Sequence, residues 1–339
     1  MLIQQALAVF GLAIIAWSGR AEVFDLPEDD NSLIGKVVFT AAAEEDTLLD
    51  IARQHSLGYR DIQLANPHLD MWLPGQDMEV MLPKKYVLPM APRTGIVLNI
   101  PEMRLYYYPP AASGRPAKVY TYPLGIGREG WSTPYVSTSV IQKQEDPYWH
   151  PPESIRKEYE EKGEPLPVRV PPGDENPLGK YAMRLGIPAY LIHGTNKPYG
   201  IGMRVSHGCI RLYPEDIEAL YRKVGLGTPV RIVNQPYKLG LSDNRFYLEA
   251  HPYLEEDSEQ FRENLTSVVK MLVKLTEDRD YEIDWELAKE VIKEARGIPV
   301  EIGRLLPVPL MAERGENGSA DDHIQGVELK LETDLKEIN

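Results

Sequence analysis

The chain has 339 residues, 43% of them hydrophobic, with 29 prolines, 26 glycines and a single cysteine. That length exceeds one ordinary hydrophobic core, so two or three domains are expected. A formal net charge of −14 excludes binding of nucleic acid or anionic lipid through bulk electrostatics, which needs a basic face.

Residues 1–21 read as a signal peptide. The apolar run over 6–17 is 12 residues long, whereas a membrane span needs about 20. Gly19-x-Ala21 sets small residues at the −3 and −1 positions of a cleavage site. No Lys or Arg precedes the run, so the positive end is the amino terminus alone. An exported protein with no transmembrane span after cleavage is expected.

Residues 36–83 form the next block. Val37-Val38-Phe39 opens it as a strand, and Leu48, Leu49, Ile51 and Ala52 follow on one helical face behind Asp46 or Thr47 as N-cap. Ile62-Gln63-Leu64-Ala65 reads as a second helix stopped by Asn66-Pro67. Leu73-Pro74-Gly75-Gln76 is a turn, and Val80-Met81-Leu82 closes the block as a strand. This βααβ order, with its Asp-Thr-Leu, Ala-Asn-Pro and Leu-Pro-Gly-Gln segments, resembles a lysin motif. The resemblance implies binding to N-acetylglucosamine-containing glycans such as peptidoglycan. A small unit that only positions its neighbour is the alternative.

Residues 93–234 are mostly β. Segments at 95–100, 103–108, 118–123, 135–140 and 189–193 are rich in β-branched and aromatic residues. The proline-rich stretch 145–188, with Tyr148, Trp149 and Tyr159, is expected to be a loop-rich lid. Beyond the cysteine, Pro214 suits the first position of a helix, Glu215 and Asp216 its first turn, and Ile217, Leu220, Tyr221 and Val224 recur at helical spacing. Residues 235–304 read as a helical accessory region with helices over 258–275 and 284–296, the second capped by Asp284 and followed by Gly297. The stretch 313–339 carries eight acidic and three basic residues and is expected to be a solvated, disordered tail.

The cysteine sits in Ser206-His207-Gly208-Cys209-Ile210-Arg211, and His193-Gly194 lies sixteen residues upstream of it. Exported proteins mostly pair their cysteines, so a lone thiol with two histidines close upstream reads as a nucleophile. His193, at the end of a strand, is the base that holds Cys209 as thiolate, and the Gly194 carbonyl is placed to orient the ring. The cysteine is expected at a helix N-terminus, where unsatisfied N–H groups favour negative charge. The N–H groups of Gly208 and Cys209 are the expected oxyanion donors. Arg211 suits a carboxylate clamp. Two rival readings fail. Gly125-Ile126-Gly127-Arg128-Glu129-Gly130 matches a dinucleotide loop, but Trp131-Ser132-Thr133-Pro134 follows where a helix is needed, so a turn at the site's edge is expected. His193, His207 and Cys209 lack the spacing of a zinc site, and neither metal nor cofactor is expected.

Together, Ile192-His193-Gly194-Thr195 and Ser206-His207-Gly208-Cys209-Ile210-Arg211 are similar to the signature of the L,D-transpeptidase (YkuD-type) catalytic domain. The resemblance extends to Glu102-Met103-Arg104-Leu105, Gly125-Ile126-Gly127, Thr133-Pro134, Glu164-Pro165-Leu166-Pro167 and Asn176-Pro177-Leu178-Gly179. It points to the Gram-negative periplasmic branch and covers 32–304. It implies a mainly β, sandwich-like catalytic domain with short helices, between a lysin-motif-like domain and the helical region. It implies that Cys209 attacks the third residue, meso-diaminopimelate, of a peptidoglycan tetrapeptide stem and releases D-alanine. His193 would be the base, Ser206, His207 and Gly208 would complete the pocket, and Arg211 would contact a substrate carboxylate. The implied acceptor is the lysine of an outer-membrane lipoprotein. A second stem, giving a 3→3 cross-link, is the alternative, and a non-catalytic wall-binding protein is the reading from another class.

Overall fold

The computed structural model describes residues 21–27, 31–111, 113–261, 265–276 and 279–307. The leader expected over 1–21 lies outside them except for Ala21, as does the whole acidic tail. Among the described residues, no helix is long and apolar enough to cross a membrane.

The chain opens with β1 (Glu22–Asp25), β2 (Leu33–Gly35), β3 (Val38–Ala41), α1 (Leu48–Gln54), α2 (Tyr59–Ala65), β4 (Glu79–Leu82) and β5 (Lys85–Val87). Strands β3 and β4 pair antiparallel around the two helices, which gives the βααβ order read from the sequence. Thr47, not Asp46, caps α1. Its hydroxyl accepts from Asp50 N at 3.1 Å and the Asp50 carboxylate accepts from Thr47 N at 3.2 Å, a reciprocal box that fixes where the helix starts. Leu48, Ile51, Ala52, Leu57, Ile62, Val80 and Leu82 bury against one another as its core.

The central block contains β6 (Gly95–Asn99), β7 (Arg104–Tyr108), β8 (Lys118–Pro123), β9 (Ile126–Gly127), β10 (Ser137–Glu145) and α3 (Glu153–Glu161). It continues through β11 (Tyr181–Leu185), β12 (Leu191–His193), β13 (Arg204–Ser206), β14 (Ile210–Arg211), α4 (Pro214–Lys223) and β15 (Pro229–Val233). Nine strands join in the order β1-β8-β7-β6-β15-β10-β11-β12-β14. Strand β10 folds this sheet over. Its start pairs with β15 and its end with β11, with a register shift between Val140 and Gln142, and such a bulge bends a strand and raises its twist. Ile96, Leu98, Leu105 and Tyr122 from one half therefore share a core with Met183, Leu185, Ile192 and Ile210 from the other, closed by Ile217 and Leu220 of α4. This is the mainly β, sandwich-like arrangement implied by the sequence. Two details differ. The 145–188 stretch holds the helix α3. Strand β14 stands between Cys209 and α4, so the thiol does not sit directly at a helix N-terminus.

The last part holds β16 (Tyr237–Ser242), β17 (Arg245–Ala250), α5 (Ser258–Phe261), α6 (Thr266–Thr276), β18 (Tyr281–Ile283), α7 (Trp285–Glu294) and β19 (Val300–Leu305). The helix expected over 284–296 is present as α7, the one expected over 258–275 is represented by the two helices α5 and α6, and with them comes a four-stranded sheet ordered β16-β17-β19-β18. The helical reading of 235–304 is thereby corrected to a mixed one. The reason is physical: β16 is buried along nearly its whole length, so it shows no alternation to read. Asp243 and Asn244, with φ of 50° and 62°, form the two-residue turn between β16 and β17.

The blocks are locked together by buried charge. Lys238 Nζ lies 2.8 Å from Glu102 and 2.9 Å from Glu249, all three side chains being inaccessible to solvent. Glu249 also takes His251 Nε2 at 2.6 Å and the Val87 N–H at 2.6 Å. On the same side of β7, Arg104 pairs with Asp61 of α2 at 2.6 Å and donates to Thr121 at 2.7 Å. Replacing Lys238 by Met would leave two carboxylates buried without their cation. The expected loss is roughly 3–5 kcal/mol of unfolding free energy, measured by urea denaturation. A loss under about 1 kcal/mol, the size of an exposed pair, would show that this cluster does not join the blocks.

Candidate active site

Strands β12 and β14 run parallel in the register Ile192↔Ile210 and His193↔Arg211. Side chains alternate along a strand. Ile192 and Ile210 go into the core, so His193 and Arg211 project from the opposite face. Cys209 stands two residues before Arg211 and falls on that same face. This pairing gathers the three residues that the sequence singled out.

His193 is buried, with 2% of its surface exposed. Its Nδ1 lies 2.6 Å from the Gly194 carbonyl oxygen. A carbonyl only accepts, so Nδ1 carries the proton and Nε2 is left as the basic nitrogen. A side chain at 194 would press on Ile217 at 3.1 Å and the Leu178 carbonyl at 3.3 Å, which explains the glycine behind the histidine. Burial, followed by the charge of Arg211, pushes the imidazole down to about 3. The ring is a neutral base across the working pH range.

Cys209 is partly exposed and unpaired. Its thiol donates to the Ala189 carbonyl at 3.5 Å. Burial pushes the thiol up, and a main-chain hydrogen bond from Leu191 and the charge of Arg211 oppose that only in part. Burial thus favours the neutral form of both groups. Arg211 is itself largely buried, and its Nε has no partner among the described residues. A buried cationic donor left without an acceptor is costly, and this one stands beside the thiol.

The cysteine loop is fixed by its own hydroxyls. Ser206 Oγ donates to the Cys209 carbonyl at 2.6 Å, and Thr133 Oγ1 donates to the Gly208 carbonyl at 3.1 Å. Gly208 has φ +98°, the left-handed region that favours glycine. Gly127 packs against this loop: a Cβ there would lie 1.9 Å from the Trp131 carbonyl oxygen and 3.1 Å from Gly208 Cα. The Gly125–Gly130 turn thus lines the edge of the site. His207 is engaged differently from its neighbours. Its ring meets Trp131 edge-on at 4.9 Å, and its Nε2 lies 3.1 Å from both Glu158 and Arg128.

Arg128, Glu158 and Tyr190 are parts of the site that sequence reasoning missed. Tyr190 donates to the Ser132 carbonyl at 3.0 Å and covers Gly208. Each is a single residue on a turn, an exposed helix or a strand approach, and no spacing marks it. As for metals, Glu102, Glu249 and His251 form the one candidate ligand group among the described residues. The Lys238 ammonium already sits between its carboxylates, so the donor set suits an ion pair and not a cation.

The raised thiol gives a direct prediction. Alkylation of Cys209 by iodoacetamide should keep accelerating with pH past about 8.5, the ordinary thiol value, with no shoulder near the ordinary histidine value of about 6.5. A rate already level by about pH 7 would instead reveal a thiolate–imidazolium pair.

The model of the L,D-transpeptidase catalytic domain (YkuD) matches residues 93–232. Over 302 residues the chain is 36% identical to the probable L,D-transpeptidase ErfK/SrfK of Escherichia coli K12, covering 87% of this chain and 96% of that one. The similarity to the probable L,D-transpeptidase YcfS of the same organism is 37% over 296 residues, covering 86% of this chain and 91% of YcfS. YbiS, another probable L,D-transpeptidase of E. coli K12, is 36% identical over 300 residues, with coverage of 87% and 96%.

Proposed function

The chain belongs to the L,D-transpeptidase family, in its Gram-negative ErfK-like branch, and from that premise we propose that it is a periplasmic peptidoglycan L,D-transpeptidase with Cys209 as nucleophile. The observation that supports this reading is the parallel β12–β14 pair, which sets His193 beside Arg211, two residues from Cys209 and with no partner for its Nε among the described residues.

The chemistry follows from the protonation states. As Cys209 Sγ attacks the diaminopimelate carbonyl, His193 Nε2 takes the thiol proton. Thiolate formation and attack are thereby coupled, which suits a buried thiol whose free ionisation is unfavourable. The carbonyl electrons move onto oxygen. The peptide between Gly208 and Cys209 has its carbonyl tied to Thr133, so the Cys209 N–H points the opposite way across that planar unit, available to the oxyanion with the Gly208 N–H. Collapse expels D-alanine, whose amine takes the proton from His193, and leaves a thioester. An acceptor amine then attacks, gives its proton to His193, and the C–S bond breaks to return the thiol. We assign the acceptor as the lysine of an outer-membrane lipoprotein, with the side-chain amine of a second stem as the competing acceptor.

Arg211 supplies charge for a donor carboxylate, and satisfying its Nε would reward binding. In the βααβ unit, Asp70 receives the N–H groups of Trp72 and Leu73 at 2.8 and 2.9 Å while both side chains stay exposed. An aromatic ring held outward in this way suits stacking on a sugar, which supports reading the unit as a lysin-motif glycan binder.

Intact-mass measurement tests the reading. A carbapenem should add one acyl group to the wild type and none to Cys209→Ala, and a disaccharide-tetrapeptide should release D-alanine with the wild type alone. Substituting His193 by Ala should lower turnover about 10²–10⁴-fold, the size of a lost general base. Acylation of Cys209→Ala, or alanine release at an undiminished rate without His193, would sink the assignment. Supplying lipoprotein and a second stem together decides the acceptor by the mass of the product.

A further inference from the structure

Helix α3 reaches the Cys209 loop through one side chain. Glu158 pairs with Arg128 and lies 3.1 Å from His207 Nε2, while Lys162 of the same helix approaches its other oxygen at 2.7 Å. The hydrogen bonds from Arg128, then Lys162, hold this carboxyl down to about 2, so Glu158 stays an anion at any physiological pH. Apart from this cluster, α3 buries only Ile155. A helix fastened by one apolar side chain and one ionic contact opens at low free energy.

The ionic contact is also over-committed. A neutral His207 offers one Nε2 to two neighbours 3.1 Å away. That nitrogen can donate to Glu158 or accept from Arg128, not both. Next door, Arg211 has its unpartnered Nε and feels Tyr159, the residue that follows Glu158. Arg211 therefore lies beside the thiol and Arg128 beside His207, in a chain whose net charge is −14, and a carboxylate from the chain itself is seated on Arg128.

We propose that Arg128 and His207 form a carboxylate-binding pocket at the edge of the site, and that Glu158 fills it as an internal stand-in. A free carboxylate of the donor stem displaces Glu158 and lifts α3. The donor's identity rests on the transpeptidase reading; the pocket does not. A tetrapeptide stem carries carboxylates on its terminal D-alanine and on its diaminopimelate side chain. Either exchanges one set of charge-assisted hydrogen bonds for another, whereas an amide brings no charge to replace the one it expels. The latch therefore selects acidic donors before any bond is made.

The test uses the full chain carrying Cys209→Ala, so that binding is read without turnover. Calorimetry compares a disaccharide-tetrapeptide with the same compound amidated at its diaminopimelate and alanine carboxylates. Adding Glu158→Gln should tighten the tetrapeptide about 3- to 10-fold, because the competent fraction rises. Adding Arg128→Gln should weaken it about tenfold and shrink the preference for acid over amide by the same factor, leaving the part that Arg211 supplies. Hydrogen exchange of the α3 amides should speed up when the tetrapeptide is added. Unchanged affinity in both variants, or slower α3 exchange with ligand bound, would overturn the pocket. If these binding effects appear while the native chain fails to acylate, the transpeptidase reading falls and the pocket stands.

Discussion

Lys238 cannot reach water from where the chain puts it, and its charge is met by Glu102 and Glu249, with the Tyr106 hydroxyl accepting a further hydrogen bond at 3.2 Å. Everything else about the relative placement of the blocks is consistent with that constraint. Glu102 precedes β7 in the central sheet, and Glu249 lies on β17 of the C-terminal sheet. Glu249 spends its second oxygen on the Val87 N–H in β5. Three segments that meet nowhere else in the sequence are thus held at one point. A buried ion pair is weak evidence of net stability, because desolvation opposes attraction, but it strongly disfavours any arrangement that separates the partners. The cluster is best understood as a register pin between domains.

With the blocks pinned, both accessory parts bear on the site's frame. Arg53 of α1 makes a two-pronged contact with Glu215 at the start of α4, at 3.0 and 3.1 Å. Gly58 and Gly202 meet so closely that a Cβ on Gly58 would lie 2.8 Å from Gly202 Cα. From the other side, Glu256 receives Arg204 of β13 in a two-pronged contact at 2.7 and 3.0 Å and the Ser132 hydroxyl at 3.1 Å. The cysteine loop runs between β13 and β14, which leads into α4, so it is braced at both ends by the parts of the chain that precede and follow the central block. Precise placement of a nucleophile requires such support, because a small displacement of the reacting atoms is costly in rate.

The electrostatics of the site follow from its burial. Desolvation raises the thiol and lowers the imidazole, and both shifts favour the neutral forms. Arg211 acts on both groups in the same sense as a field: it depresses the histidine and partly restores the acidity of the cysteine. The Gly194 carbonyl accepts from His193 Nδ1, and this hydrogen bond works against the downward shift without reversing it.

The sequence by itself determined whatever depends on local chemistry. The Thr47 cap, Pro214 at the first position of α4, Asp284 ahead of α7 and the β-branched runs of the central sheet were legible because caps, φ restriction and strand propensity act over a few residues. The lone cysteine with two histidines close upstream stood out because few arrangements of those residue types have another purpose. Tertiary structure alone decided the rest. The parallel register that sets His193 beside Arg211 depends on two short strands finding one another across an intervening loop. The Arg128–Glu158–His207 contact spans up to 79 residues and uses charges that look like any solvated ones. The C-terminal sheet was hidden because β16 is covered on both faces, so burial erased its alternation, and the Lys238 that looks like a surface residue is in fact buried. Patterns report an element's own amphipathicity; which buried groups meet is set by the partners, and those lie far away in the chain.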